Sequence, residues 1–486
     1  MNVAEAVADA ELRFEGADFD GALGVLRSVE DAAAAFASTE YLMLLARVLR
    51  ATSRYDAAVE VLRLARHDHQ AVSRAQTEIA TIAWIRHAYD EGIDAAVHAL
   101  RATPGYRGAR GVLGRLRGPV TPAPADVPTG GIAHGAFYAS GRGNFGDLAL
   151  PSAVREAFTT ATGETSWLGI HVHQLFDDER LELVNAQRAM IVGGGGLFLP
   201  DTAPNGHSGW QWNVPQAQLE RITVPLATFA VGYNLFVGQK FVGDRFRNGL
   251  LAMAERSVFL GLRNHGSIEQ VSRLLPAHLH DRLRFVPCPT TILEHTHPGL
   301  PPAKEGTGTI LLNVAYDRSR RRFRRGYRTF LAQIEKYVAA VEAAGSEVRC
   351  VVHAPNDSRI AKDLRSEYGR ELPVDDLSRS RPEEGYALFR RADLVVGMRG
   401  HATMIPFGLG TPVLSIVSHP KMRYFLEDIE RPEWGFDVGE PNLGDRLLEH
   451  TTDVLQHNAE RRQDIREIQA RLAQPIFQAA RDLVGS

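Results

Sequence analysis

The chain has 486 residues, 44% hydrophobic and 23% charged, with a formal net charge of −3. That length exceeds one ordinary core and implies two or three domains of soluble, globular character. The near-neutral balance gives no whole-chain case for nucleic acid, and two cysteines, Cys288 and Cys350, exclude a disulfide framework or a cysteine-rich metal site.

The first twenty residues, "MNVAEAVADAELRFEGADFD", are acidic and lack the basic-then-apolar order of a signal peptide. No uncharged apolar run reaches the ~18 residues of a membrane span, so a cytoplasmic location is expected. Residues 1–117 carry almost no strand signal and are rich in Ala, Leu, Arg and Glu. Within them "DFDGALGVL", "RYDAAVEVL" and "GIDAAVHAL" resemble one another. Aligning Phe19, Tyr55 and Ile93 gives spacings of 36 and 38, close to the ~34-residue period of tetratricopeptide helix pairs. A plain helical bundle fits the same composition. Residues 118–131 follow, where "GPVTPAPADVPTG" with four prolines reads as an extended linker.

From Ile132 the texture changes. Short apolar runs such as "AMIVGGGGLF", "LATFAVGY", "TILLNVAY", "EVRCVVHAP" and "DLVVGMR" alternate with helical patterns, and each is followed within two residues by Gly, Asn, Asp or Pro. Strands apolar on both faces and separated by helices imply parallel sheets covered on both sides. The expectation is α/β, with two doubly wound halves at 132–300 and 301–486 that meet at the hinge-like "HPGLPPAKEGTG". A ligand site should then lie in the cleft where strand C-terminal ends face each other.

Four segments fall at such ends. "GRGNFGDLALPSAV" offers glycines for close backbone approach, with Asn144 and Asp147 placed either to cap the next helix or to bond a sugar hydroxyl. "IVGGGGLFLPD" sets Gly193, Gly194, Gly195 and Gly196 after a strand, as a turn whose N–H groups could cradle an anion. Its spacing is not that of a dinucleotide fingerprint. "GLRNHGSIEQV" contributes Arg263 for an anion and Ser267 as a helix cap. Finally "VVGMRGHATMIPFGLGTPVLSIVSHPK" gathers Arg399, His401 and Lys421 without a single Asp or Glu. No cluster has metal-ligand spacing.

The ordered set "NFGD", "GGGGLF", "LRNHGS", "VVHAPND" and "MRGHATMIPFGLGTPVLSI…K" resembles the polysaccharide pyruvyl transferase family over about residues 132–430. Its members show an Asn-x-Gly-Asp turn, a glycine-rich turn, an Arg-Asp-x-x-Ser segment and an Arg-x-His followed by Gly-x-Pro and a lysine. The resemblance implies two facing Rossmann-like halves of the kind seen in GT-B glycosyltransferases. It also implies transfer of the enolpyruvyl group of phosphoenolpyruvate onto two sugar hydroxyls to form a cyclic ketal, with no cofactor besides that donor substrate. Arg399, His401 and Lys421 match the family's donor-site residues, and His353 and Asp357 match positions that serve the acceptor or support the site. This chain departs in having Asn264 in place of Asp, "SHPK" before the lysine, and a helical array in front.

The acid-free segment suits such a donor. Phosphoenolpyruvate carries a carboxylate and a phosphate, which Arg can fork and Lys can neutralise, while a nearby carboxylate would repel it. Protonating its methylene needs an acid that works near neutral pH, and His401 is the expected one. A helix start disfavours its imidazolium, and bound anion restores it. "DRSRRRFRRGYR", with seven arginines, reads either as a solvated loop or as a clamp for the diphosphate of a nucleotide- or lipid-linked sugar acceptor. Trp210 and Trp212 are open between sugar stacking and packing. A protein partner or self-association through residues 1–117, and peripheral contact at the inner membrane face, complete the expected interactions. The alternatives are a nucleotide-sugar glycosyltransferase on the same fold and a non-catalytic scaffold.

Overall fold

The computed structural model describes residues 1–65, 68–118, 129–139, 143–323 and 326–485. Residues 1–118 form helices α1 (Val3–Glu15), α2 (Phe19–Arg27), α3 (Ala33–Ala37), α4 (Thr39–Ala51), α5 (Tyr55–Leu64), α6 (His69–Ile85), α7 (Tyr89–Ala102) and α8 (Arg107–Leu116). Side-chain caps start several of them: Asn2, Asp18, Ser38 and Asp68 each accept a backbone N–H of the first turn.

Three helix pairs, α1/α2, α4/α5 and α6/α7, share one turn. Its apex is a left-handed non-glycine residue, Ala17, Ser53 or His87. The next residue closes it, through Asp18 N–H to Arg13 O (2.9 Å), Arg54 to Leu49 (2.8 Å) and Ala88 to Ala83 (2.9 Å). An aromatic residue follows each time, Phe19, Tyr55 and Tyr89, and three positions later a buried small residue, Ala22, Ala58 or Gly92, where helices cross. The third equivalent is therefore Tyr89 and not Ile93. α7 has 14 residues against 10 in α5, and the similar "IDAAV" segment lies about one 3.6-residue turn further along it.

These turns dock on the first α/β half. Gly206 N–H donates to Ser53 Oγ (2.8 Å), Asn213 Nδ2 to Tyr55 Oη (2.9 Å) and Leu175 N–H to Ile85 O (2.8 Å), and Arg245 pairs with Asp20 (2.8 Å). The proline-rich linker expected at 118–131 falls mostly on residues 119–128, and Gly141 of the first glycine motif on 140–142, both outside the described residues.

Two six-stranded sheets make up the rest, parallel throughout. The first runs β2-β1-β3-β4-β5-β6, with β1 Ile132–Ala136, β2 Trp167–His171, β3 Ala189–Phe198, β4 Leu226–Tyr233, β5 Phe259–Leu262 and β6 Leu283–Phe285. The second runs β12-β11-β10-β7-β8-β9, with β7 Thr309–Asn313, β8 Glu347–Val352, β9 Val374–Asp376, β10 Leu394–Gly397, β11 Val413–Val417 and β12 Gly435–Asp437. β1, β5, β10 and β11 are buried along their whole length, as strands covered on both faces must be. The order reverses between β1 and β3 and between β7 and β10, the places where such sheets bind ligands.

The halves share one core. Helix α9 (Phe145–Thr162) of the first half packs Phe145, Leu150 and Val154 into the same cluster as Leu311, Tyr386 and Phe389 of the second. The C-terminal helix Asn458–Val484 returns to this cluster with Ile465, Ile468 and Leu472.

One further expectation is corrected and one open reading is decided. The Gly193–Gly196 run is not a turn before a helix, because β3 continues through it to Phe198. Positive φ at Gly193, Gly194 and Gly195 and a register shift toward β4 make it a bulged strand end. A Cβ at Gly193 would strike the Phe229 carbonyl, so glycine is needed there for backbone contact. Trp210 and Trp212 are buried in the first half's core against Phe198 and Phe176, which decides for packing.

Candidate functional site

β10 ends at Gly397, and the chain turns through Arg399 and Gly400 into the helix His401–Gly408. A Cβ on Gly397 would press on the Ala402 carbonyl, so the turn is as tight as its glycine allows. Next to it, β11 leads to His419, whose Nδ1 caps Lys421 N–H (3.2 Å) at the start of the helix Pro420–Asp428. Adjacent parallel strands thus deliver Arg399, His401 and Lys421 to one rim. Arg322, from the short helix Ser319–Phe323 after β7, joins them. Opposite, the first half supplies Asn144 at the start of α9 and Arg263 at the end of β5. These six side chains, with Gly400 and Met404, enclose a cavity of about 40 Å³. No carboxylate lines it among the described residues.

The acids missing from the Arg399 segment come from elsewhere in the fold. Arg399 Nε and Nη2 donate to the two oxygens of Asp357, both at 2.7 Å, and Nη1 meets Asp317 Oδ1 at 2.7 Å. Burial alone would lower the guanidinium, but Asp357 and then Asp317 hold it above its usual range. Arg399 is therefore committed on all three nitrogens and is not a free anion holder. Asp357 is fully buried and also accepts from Asn313 Nδ2 (3.1 Å), Ala354 N–H (3.0 Å) and His353 N–H (3.2 Å). It positions Arg399 and touches no open space. Burial pushes Asp317 up, yet Arg399 and Arg322 bring its carboxyl well below the usual carboxylate range. Arg322 donates to that carboxylate (2.9 Å), to the Asp317 carbonyl (2.9 Å) and to Ser418 Oγ (2.8 Å).

Arg263 and Lys421 are different. Among the described residues neither has a carboxylate within ion-pair distance. Arg263 is 6% exposed, lies on the Gly232 backbone, donates to Asn234 Oδ1 (3.3 Å) and keeps its buried Nε without a partner. Burial and the neighbouring Arg263 and Arg322 pull the Lys421 ammonium down to about 7. Burial, Arg263 and Lys421 hold His401 well below the usual histidine range, so its ring is neutral in the empty site. Asp147 is outside the cavity lining. Burial raises its carboxyl, while Asn144, Lys421 and Arg399 draw it back.

Asn144, Arg263, Arg399, His401 and Lys421 are thus brought together. Gly193–Gly196 and Ser267 are not in the lining: Ser267 is buried, its N–H donates to Asn264 Oδ1 (2.7 Å), and its Oγ accepts from Tyr233 N–H (2.9 Å). Asn264, not Ser267, is the cap of its helix. His353 is sealed between Phe145 and Phe389, with burial bringing its ring down to about 3. Its carbonyl accepts from Phe145 N–H (2.8 Å) and so joins the halves. A direct acceptor contact by His353, Asp357 or Ser267 is excluded by this burial.

Sequence reasoning missed Asp317, Arg322 and Cys288. Asp317 opens the arginine run just after β7, and an acid at a strand end was a readable signal. Which arginine of the seven turns inward was not, since it depends on the helix Ser319–Phe323. Arg318 instead reaches Asp201 of the first half (2.7 Å). No group of three or more His, Cys, Asp or Glu among the described residues is placed to hold a metal ion, and no described helix is long and apolar enough to cross a membrane.

A model of the family described as polysaccharide pyruvyl transferase matches residues 144–420, more than half of the chain. No curated protein matches the sequence. Similar solved structures include a mutant O-GlcNAc transferase from Thermobaculum terrenum, at 14% identity and TM-score 0.42 over 99% of this chain and 96% of that one. A UDP-GlcNAc 2-epimerase from Neisseria meningitidis bound to UDP-GlcNAc gives 11% and 0.42 over 73% and 98%. The wall teichoic acid polymerase TagF, as its histidine-to-asparagine variant with CDPG, gives 12% and 0.38 over 82% and 97%.

Proposed function

Since the chain belongs to the polysaccharide pyruvyl transferase family, we propose that it moves the enolpyruvyl group of phosphoenolpyruvate onto two hydroxyls of a carbohydrate acceptor. The observation that carries this is the buried cavity with Arg263 and Lys421 unpaired and Arg322 beside them. A buried cation without a counter-ion is costly, and a small anion with two charged groups removes that cost. Arg263 forks one anionic group and Lys421 meets the other. The cavity is small beside such a donor, so Lys421, Arg322 or Met404 at its rim moves aside when one enters.

In the reaction the donor methylene takes a proton from His401, which leaves an oxocarbenium at the central carbon. One sugar hydroxyl adds to it. The carbon–oxygen bond to phosphate then breaks, and the second hydroxyl closes the ketal. Of the two hydroxyl protons, one ends on the new methyl through His401 and the other on the released phosphate. The aromatic-x-x-small helix pairs support reading residues 1–117 as a tetratricopeptide-like array that offers a protein-binding surface. The chain should be incubated with phosphoenolpyruvate and a panel of glycans, with acceptor mass and phosphate release followed together. Stoichiometric phosphate and a pyruvylated glycan are expected. Consumption of a nucleotide sugar with phosphoenolpyruvate untouched would establish the glycosyltransferase alternative instead.

A further inference from the structure

His401 belongs to the second half, yet its ring is held by the first. A Cβ on Gly146 of α9 would collide with its Nδ1 edge, so the glycine makes the slot in which the imidazole lies. At the other edge Cys288 Sγ is 3.7 Å from Nε2, and Thr290 Oγ1 is 3.1 Å from the same sulfur. The thiol is itself placed: the turn Pro289–Thr291 folds back so that Thr291 N–H and Oγ1 both donate to the Cys288 carbonyl, at 2.9 and 2.7 Å. Burial keeps the Cys288 thiol protonated, against a weaker pull from Thr290 and Arg263.

A histidine that carries a proton in a reaction commonly has a carboxylate on its other nitrogen, which fixes the tautomer and supports the imidazolium. Here that place holds a neutral sulfur. We propose that Cys288 is the positioning residue of His401, its thiol holding Nε2 as an uncharged partner, so that the counter-ion of the charged ring is the bound donor itself. The proposal rests on the donor assignment above. The charged groups facing the ring agree with it: Arg263 from the end of β5 and Lys421 from the helix after β11 both disfavour the imidazolium, and His353 from the end of β8 is itself held neutral by burial. Asp147, next to Gly146 on α9, is engaged with Asn144 and drawn to Lys421 and Arg399 instead. An aspartate at position 288 would charge His401 permanently. The cysteine keeps the acid uncharged in the empty site and lets the anionic substrate switch it on.

The test is imidazole ¹⁵N spectroscopy of the full-length chain with labelled histidine, His401 being assigned by its loss in His401→Gln. Spectra of Cys288→Ser, Cys288→Ala and Cys288→Asp are compared with the parent, without and with phosphoenolpyruvate. Cys288→Ser should keep the parent tautomer. Cys288→Ala should give mixed tautomers and a kcat lower by about tenfold, the usual scale for a lost orienting partner, with the KM for phosphoenolpyruvate unchanged. Cys288→Asp should show a charged ring before any donor is added, and no further change on its addition. Parent-like spectra and turnover in Cys288→Ala, or a neutral ring in a folded Cys288→Asp, would overturn the proposal. If Cys288→Asp fails to fold, the Ser and Ala pair decides alone. Phosphoenolpyruvate that moves no histidine signal would refute the donor assignment, while the tautomers of the free proteins still test the contact with Cys288.

Discussion

Replacing Asp357 by Asn removes one charge and almost no volume from the most buried ion pair of the site. Five donors converge on this carboxylate, two of them from Arg399. The amide can still accept but cannot offset the guanidinium. Arg399 would keep only Asp317, whose side chain is 43% exposed and is partly answered by water. Breaking a buried pair from one side costs about 3–5 kcal/mol. At about 2–4 °C per kcal/mol for a unit of this size, the melting temperature should fall by about 6–20 °C. Asp317→Asn should cost less, because Arg399 keeps both bonds to Asp357 and Arg322 keeps the Asp317 carbonyl and Ser418. Thermal unfolding followed by near-UV circular dichroism measures both. Equal melting temperatures for Asp357→Asn and Asp317→Asn would refute the claim that this pair anchors the rim.

Three further outcomes are expected. His401→Ala should lower turnover by about 10²–10⁴ with calorimetric donor affinity kept, whereas Arg263→Ala should weaken donor binding by about 1.5–3 kcal/mol, the worth of a charge-assisted hydrogen bond. Lys421 is pulled to about 7 in the empty site, and a bound anion raises it again. Below pH 7 the lysine is charged with or without donor and affinity is flat in this group; above 7 its share should lower affinity by about tenfold per pH unit, with uptake approaching one proton per donor in His401→Gln and a second in the parent, whose imidazole is charged by the donor. Calorimetry at pH 8 in buffers of different ionisation enthalpy measures that uptake, the donor's own ionisation being subtracted. Gly146→Ala should push His401 from its slot, so that kcat drops and overpacking by about 1–3 kcal/mol lowers the melting temperature; a kcat equal to the parent's would show the slot to be unimportant.

Strand ends were readable because β10 and β11 are continuous apolar runs stopped by Gly397 and by "SHP", and a parallel sheet must present those ends on one side. That alone brought Arg399, His401 and Lys421 together. What the sequence concealed lies in partnerships across distance. Asp357 is 42 residues from Arg399, and the acid-free segment looked electrostatically bare only because its carboxylates follow β7 and β8. The glycine run misled for a local reason: four glycines permit a turn, but the approach of β4 to β3 uses them to bring backbones into contact. The third helix pair is offset by a turn from its sequence alignment because side-chain likeness hides the left-handed turn at His87, which only the folded backbone reveals.

The C-terminal helix bears on how the chain reaches this state during synthesis. Its apolar face covers the same core as α9, and Asp482 pairs with Arg284 at 2.5 Å beside β6. The first sheet is thus covered by residues made long after β6. At ~5–20 residues per second, a ribosome needs on the order of tens of seconds between completing β6 and releasing that helix. Through this interval the α9 face stands uncovered, open to other apolar surfaces and to chaperones. A nascent chain stopped at residue 457 should accordingly stay protease-sensitive in its first half as well as its second, and become resistant when the missing helix is supplied.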